Sequence, residues 1–225
     1  MAALSSLIWA VVTAAIVFVV FKWYLPHLMA KPQPESEETL DVQITNKFKL
    51  FIYIASVVVA LLCGYFSGAR QDAWLSVSKM VLTLGILNVI SITDIKLYKI
   101  PNLCVLILLG GRCLSFIPEL INNDGTVLMG LINSLIAGIV SLLFLLLMSK
   151  ITRGGISYGD VKLFGALGFL CGVRAVLYTL MLSFFLCAIV SAVLLLSKKK
   201  GLKDGLPMGP FIWIGFAITI VLGLC

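Results

Sequence analysis

Two aspartates stand out from an otherwise oily chain. Asp94 lies in SITDIKLYKIPN and Asp160 in SYGDVKLFGALG. Two carboxyl groups a few ångströms apart cannot both ionise readily, so one keeps its proton while the other stays charged. Such a pair can take a proton from water with one member and give a proton to a carbonyl oxygen with the other, which is the chemistry of acid-catalysed peptide hydrolysis. Gly159 leaves out a side chain beside Asp160, so that an extended substrate backbone can come close or the chain can take an angle other residues resist. Gly154 and Gly155 loosen the turn before it, and Gly165, Gly168 and Gly172 permit tight packing of the helix that follows.

The remaining acids offer no comparable pair. Of ten in all, Glu35, Glu37, Glu38 and Asp41 fall in a polar linker, Glu119, Asp124 and Asp72 in loops on the opposite side, and Asp204 in a basic loop. Taken singly, each of the two aspartates reads more simply as a helix-end charge. Asp160 meets the favourable end of a helix dipole, and Lys162 can serve as an anchor at the membrane surface. Pro101, after Ile100, suits the first position of a helix, and the IPN of Ile100, Pro101 and Asn102 means little alone. It is the pair, on one side of the membrane and beside glycine, that outweighs the simpler reading.

The elements that must bring the pair together are membrane helices. With 61% apolar and only 12% charged residues in 225, the chain lies outside the range of soluble globular proteins. Stretches of 18 or more nearly uncharged residues recur, each able to cross about 30 Å of hydrocarbon. The sequence predicts an all-α, polytopic bundle of about eight spans near 3–24, 50–67, 74–92, 101–118, 128–148, 161–173, 175–197 and 207–225. The sixth, at about 20 Å, is short for a crossing, so it is tilted, partly re-entrant or fused with the seventh around Gly172. In domain terms, 1–24 is an amino-terminal anchor, 25–49 a cytoplasmic linker and 50–225 a multi-helix membrane domain.

Basic residues orient the bundle. Lys22, Lys31, Lys47 and Lys49, then Lys96 and Lys99, then Lys150, Arg153 and Lys162, then Lys198, Lys199, Lys200 and Lys203 flank alternate loops on one side. Arg70 and Arg174 fall on the other, while Lys79 and Arg112 lie close enough to span ends to snorkel. This segregation puts the lysine-rich loops in the cytoplasm, both termini outside, and both aspartates at the cytoplasmic boundary of a cell membrane. The net charge of +7 therefore speaks of orientation in the bilayer, and no nucleic-acid surface is expected. Cys63, Cys104, Cys113, Cys171, Cys187 and Cys225 are scattered through apolar spans with no CxxC pair, and the single His27 has no partner for a nucleophilic or metal site.

The two aspartate motifs carry a resemblance. SITDIKLYKIPN looks like the first signature of the type IV prepilin peptidases, and SYGDVKL resembles their GxGD motif with its trailing Lys-Leu. LPMGPF at 206–211 is similar to the start of the family's last helix. The likeness runs over roughly 74–225. It implies that Asp94 and Asp160 are the catalytic dyad, with Gly159, Lys162, Pro101 and Asn102 as supporting motif positions, and Ser157 standing where the first motif glycine would be. It further implies a six-helix peptidase core with additional amino-terminal helices. The activity implied is removal of a short basic leader from pilin or pseudopilin precursors, with no metal and no cofactor. Larger members carry a cytoplasmic domain with paired CxxC motifs, associated with methylation of the new amino terminus. The 25–49 linker has no cysteine, so a peptidase without methyltransferase activity is expected. The competing reading, a small proton or cation transporter, is disfavoured because neither acid lies at mid-bilayer.

Overall fold

The computed structural model describes residues 57–59, 61–62, 65, 74–122, 127–152, 155–197 and 206–224. They form five principal helices: α1 (Trp74–Leu97), α2 (Asn102–Asn122), α3 (Val127–Ile151), α4 (Tyr158–Leu196) and α5 (Gly209–Val221). No strand occurs among the described residues. Four of the five helices are long and apolar enough to cross a membrane, so the chain is a multi-pass, all-helical membrane protein. The expected span 3–24, the linker 25–49 and most of 50–67 lie outside the described residues.

An all-helical answer follows from the solvent. In hydrocarbon a backbone amide has no water to bond, so each segment must satisfy its own ladder. That requirement overrides the weak helix propensity of the β-branched residues crowding α1. The hydroxyls are handled in the same way: Thr83 bonds Lys79 O at 2.7 Å, Thr179 bonds Ala175 O at 2.7 Å and Ser183 bonds Thr179 O at 2.6 Å. Central in the bundle is α1, whose span is 78% buried against 24% for α2 and 28% for α3. The outer faces of α2 and α3 present Leu106, Leu114, Leu128 and Ile139 to the surroundings, as lipid-facing helices do.

The long α4 is two arms, and Gly172 is the joint. A straight helix of 39 residues would measure about 58 Å, nearly twice the hydrocarbon thickness. At Gly172 the backbone takes φ 87° and ψ 177°, a region essentially reserved for glycine. The contacts on either side show that the chain turns back there. Gly209 at the start of α5 touches Asp94, and further along α5 Gly215 and Thr219 meet Ser183 and Thr179 respectively. Residues 179 to 183 therefore run towards the aspartate end, whereas residues 160 to 171 run away from it. The expected sixth and seventh spans are thus the two arms of one fused element.

The first arm lies hard against α3. A Cβ on Gly168 would come within 2.6 Å of Ala137 O, and one on Gly138 within 3.2 Å of Gly165 O. Here two backbones approach as closely as small residues allow, the usual route to tight association of helices in lipid. Ser141 bonds across this contact to Phe164 O at 3.1 Å. Ser149 closes the α3–α4 turn by bonding Ile156 O at 2.8 Å.

At the opposite end from the aspartates, a charge cluster ties α1 to α2. Arg112 Nη1 donates to both Glu119 oxygens at 2.7 and 2.8 Å, and Lys79 Nζ donates to Glu119 Oε1 at 2.6 Å. Arg112 is only 2% exposed. The sequence reading expected Lys79 and Arg112 to snorkel and Glu119 to sit in a loop. Instead α2 extends through Glu119, seven residues and two turns beyond Arg112, so the pair shares a helix face. An arginine enclosed among helices costs far less beside a carboxylate than alone.

Candidate active site

Asp94 lies on α1, three residues before its last residue, Leu97. The span expected to end at residue 92 continues through the acid to Leu97. Tyr98 then stops α1 by entering the left-handed region at φ 49°, its N–H bonding Asp94 O at 3.0 Å. Pro101 precedes the first residue of α2, Asn102, rather than opening the helix itself.

Asp160 is the third residue of α4, and the reason the helix begins there is local. Ser157 is its N-cap, extended at φ −72° and ψ 146°, and its hydroxyl accepts the Asp160 N–H at 3.2 Å. The Ser157 amide in turn faces the Asp160 carboxyl. This is the reciprocal arrangement of a capping box, with aspartate in the position usually held by glutamate. The residue that departs from the glycine of the motif therefore has a structural task. Replacing Ser157 by alanine is expected to lower stability by about 1 kcal/mol, and replacing it by glycine by only a few tenths. Thermal unfolding of the two variants in detergent would check the order.

Two contacts gather the motifs. Gly159 packs on Ile100, and a Cβ there would come within 3.2 Å of Ile100 Cβ, so the segment leaving α1 rests on the start of α4. Gly209 reaches Asp94 from α5, its N–H donating to Asp94 Oδ2 at 2.7 Å. Asp94 and Asp160 are each only 6% exposed, and they lie close enough for the charge of one to act on the other. Two buried carboxyls from separate helices thus lie at the same end of the bundle. Among the described residues neither forms an ion pair.

Not every expected site residue joins them. Lys162 is exposed, as is Asn102, while Gly159 and Pro101 are partly buried. Gly209 is the residue that sequence reasoning passed over. LPMGPF was visible as a motif, but nothing in it signals that a backbone amide will be the group in use. A pocket of about 690 Å³ lined by Asn133, Cys171, Arg174 and Tyr178 lies beside Gly172, at the far end of the bundle, and takes no part in this site.

Comparison with known proteins points to one family. The family described as the type IV leader peptidase family matches residues 81–192, a segment that takes in both aspartates and stops short of α5. The chain is 27% identical over 177 residues to a prepilin leader peptidase/N-methyltransferase of Bacillus subtilis, covering 77% of this chain and 67% of that protein. It is 26% identical over 174 residues to the protein of the same description from Stutzerimonas stutzeri, covering 76% and 58%. With that of Burkholderia pseudomallei it shares 36% identity over 90 residues, covering 39% and 29%. The chain therefore spans less than two thirds of the length of the last two relatives. No solved structure matches. With the matched segment and the relatives' descriptions in accord, the chain belongs to the type IV leader peptidase family of membrane peptidases.

Proposed function

We propose that this protein is a membrane aspartic endopeptidase that removes the short basic leader from pilin-like or pseudopilin-like precursors at the cytoplasmic face of the inner membrane. One observation carries the reading: Asp94 and Asp160, from different helices, are buried together at one end of the bundle. Lys99, Lys150 and Lys162 lie near that end in the chain, and an excess of basic residues supports assigning it to the cytoplasmic side.

In the reaction the dyad holds a single proton. The ionised carboxyl takes a proton from water as the water oxygen bonds to the scissile carbonyl carbon, and the protonated carboxyl gives its proton to the carbonyl oxygen. Collapse of the tetrahedral species then breaks the C–N bond and passes a proton to the departing amine. A substrate whose polar leader stays in water and whose apolar helix enters the bilayer would present its junction at this depth. The pairing of both acids at one end favours hydrolysis over ion conduction, which needs groups along the path. The reading is of the peptidase step alone.

Its test is direct. Detergent-purified protein incubated with a pilin-like precursor should lower the precursor's mass by that of its leader, with a single new amino terminus. An unchanged mass across several such precursors, with the protein demonstrably folded, would remove the reading.

A further inference from the structure

We infer that Gly209, through its backbone N–H, is a positioning residue for Asp94, so that the first turn of α5 is the third component of the candidate active site. The inference deepens the peptidase reading and rests on it for its kinetic consequence.

Gly209 is the first residue of α5, where an amide has no partner within its own helix. Here that amide is directed at Asp94 Oδ2, at 2.7 Å and out of water. An amide bonded to a carboxylate is among the stronger contacts a side chain makes, and it fixes one oxygen and with it the plane of the carboxyl group. The neighbouring Met208 amide also faces this carboxyl, so two successive backbone donors address the same side chain. Pro210, which follows at once, has no N–H to compete and suits the first turn of a helix.

The contact explains why glycine stands here. A Cβ at position 209 would lie 3.0 Å from Ser91 Cα and 3.0 Å from Asp94 Cβ. The first of these is backbone of α1 and cannot step aside, so any side chain pushes the start of α5 away and draws the amide off the carboxyl. The second arm of α4 completes the support, since Gly215 of α5 rests against Ser183, where a Cβ would meet Ser183 Oγ at 2.7 Å. One helix thus meets α1 at its first residue and the returning arm of α4 further on, and it aligns the aspartate of α1 inside a bundle whose α4 carries the other. Misplacing a reacting group by about 1 Å can cost about a hundredfold in rate.

The experiment has two arms on the full-length protein. In the first, glycine amides are labelled with 15N and methionine carbonyls with 13C, which selects the amides of Gly130 and Gly209, and the Gly130 signal is recognised by its loss in Gly130→Ala, where a Cβ meets nothing within 4 Å. In Asp94→Ala the Gly209 resonance should move and lose its protection from hydrogen exchange. A resonance unaffected by removal of the carboxyl overturns the inference, whether or not the protein cleaves any precursor and whether or not Gly209→Ala folds well. In the second, kinetics on a cleaved precursor should show kcat reduced about a hundredfold in Gly209→Ala with KM within about twofold, because orientation and not substrate binding is lost. Leu222→Ala, at an exposed residue capping the other end of α5, should keep the wild-type kcat. Wild-type kcat in Gly209→Ala, or a loss confined to KM, also overturns the inference. Failure of the wild type to cleave any precursor would count against the peptidase reading, and the resonance measurement would still decide the role of Gly209.

Discussion

Replacing Asp94 or Asp160 by asparagine is expected to yield inserted, folded protein that no longer trims its precursor, with cleavage lowered by about a thousandfold or more. The size follows from the role, since acid–base catalysis contributes about 10²- to 10⁴-fold and the members of a dyad act as one unit. The two single variants should therefore lose about as much as the double. Folding should survive because asparagine is nearly isosteric with aspartate. At position 94 its carbonyl oxygen can still accept the Gly209 amide, which in the wild type meets Oδ2 at 2.7 Å. Co-expression with a precursor, read by the mass of the product, measures the first half of the expectation. Thermal unfolding in detergent measures the second. Efficient trimming by either variant would refute the dyad.

The largest effect on stability is expected far from that chemistry. Glu119→Ala leaves Arg112, 2% exposed, and Lys79 without the carboxylate they share at 2.7 and 2.6 Å. Removing the carboxylate beside a buried arginine costs about 3 kcal/mol, at the low end for an ion pair because Glu119 and Lys79 keep part of their side chains exposed. Glu119→Gln should cost less, since the amide oxygen still accepts a hydrogen bond. A triple replacement, Lys79→Met and Arg112→Met with Glu119→Leu, should recover most of the loss, because no uncompensated charge of the cluster then remains among the packed helices. Lys79 lies about 22 Å along α1 from Asp94 at the usual helical rise, so folded Glu119→Gln should retain cleavage. Unfolding midpoints of the three variants check the ranking. An unaltered midpoint in Glu119→Ala would show the cluster to be dispensable.

These expectations separate what composition makes visible from what it conceals. Long apolar stretches declared the helices and their approximate limits because hydrocarbon permits little else. The short span before Gly172 was recognisable as anomalous from its length. Its sense of direction was not, because a glycine announces freedom without saying which way the chain will go. Ser157 looked like a defect in a glycine motif, and its service as the cap of α4 emerged only from the bond to the Asp160 amide. Glu119 looked like a loop acid because charge counting assigns residues to sides of a membrane and cannot see that α2 continues far enough to bring it under Arg112.

The sequence by itself determined the solvent, the helical class, the two aspartates and the family to which they point, because each of these depends on residue type and on spacing along the chain. Tertiary structure alone decided that α4 folds back on itself, that a buried arginine finds its carboxylate, and that the first amide of α5 meets Asp94. The physical reason is that these are contacts between backbone groups or distant side chains. A backbone amide is the same in nearly every residue, so its use is written only in where the helices pack.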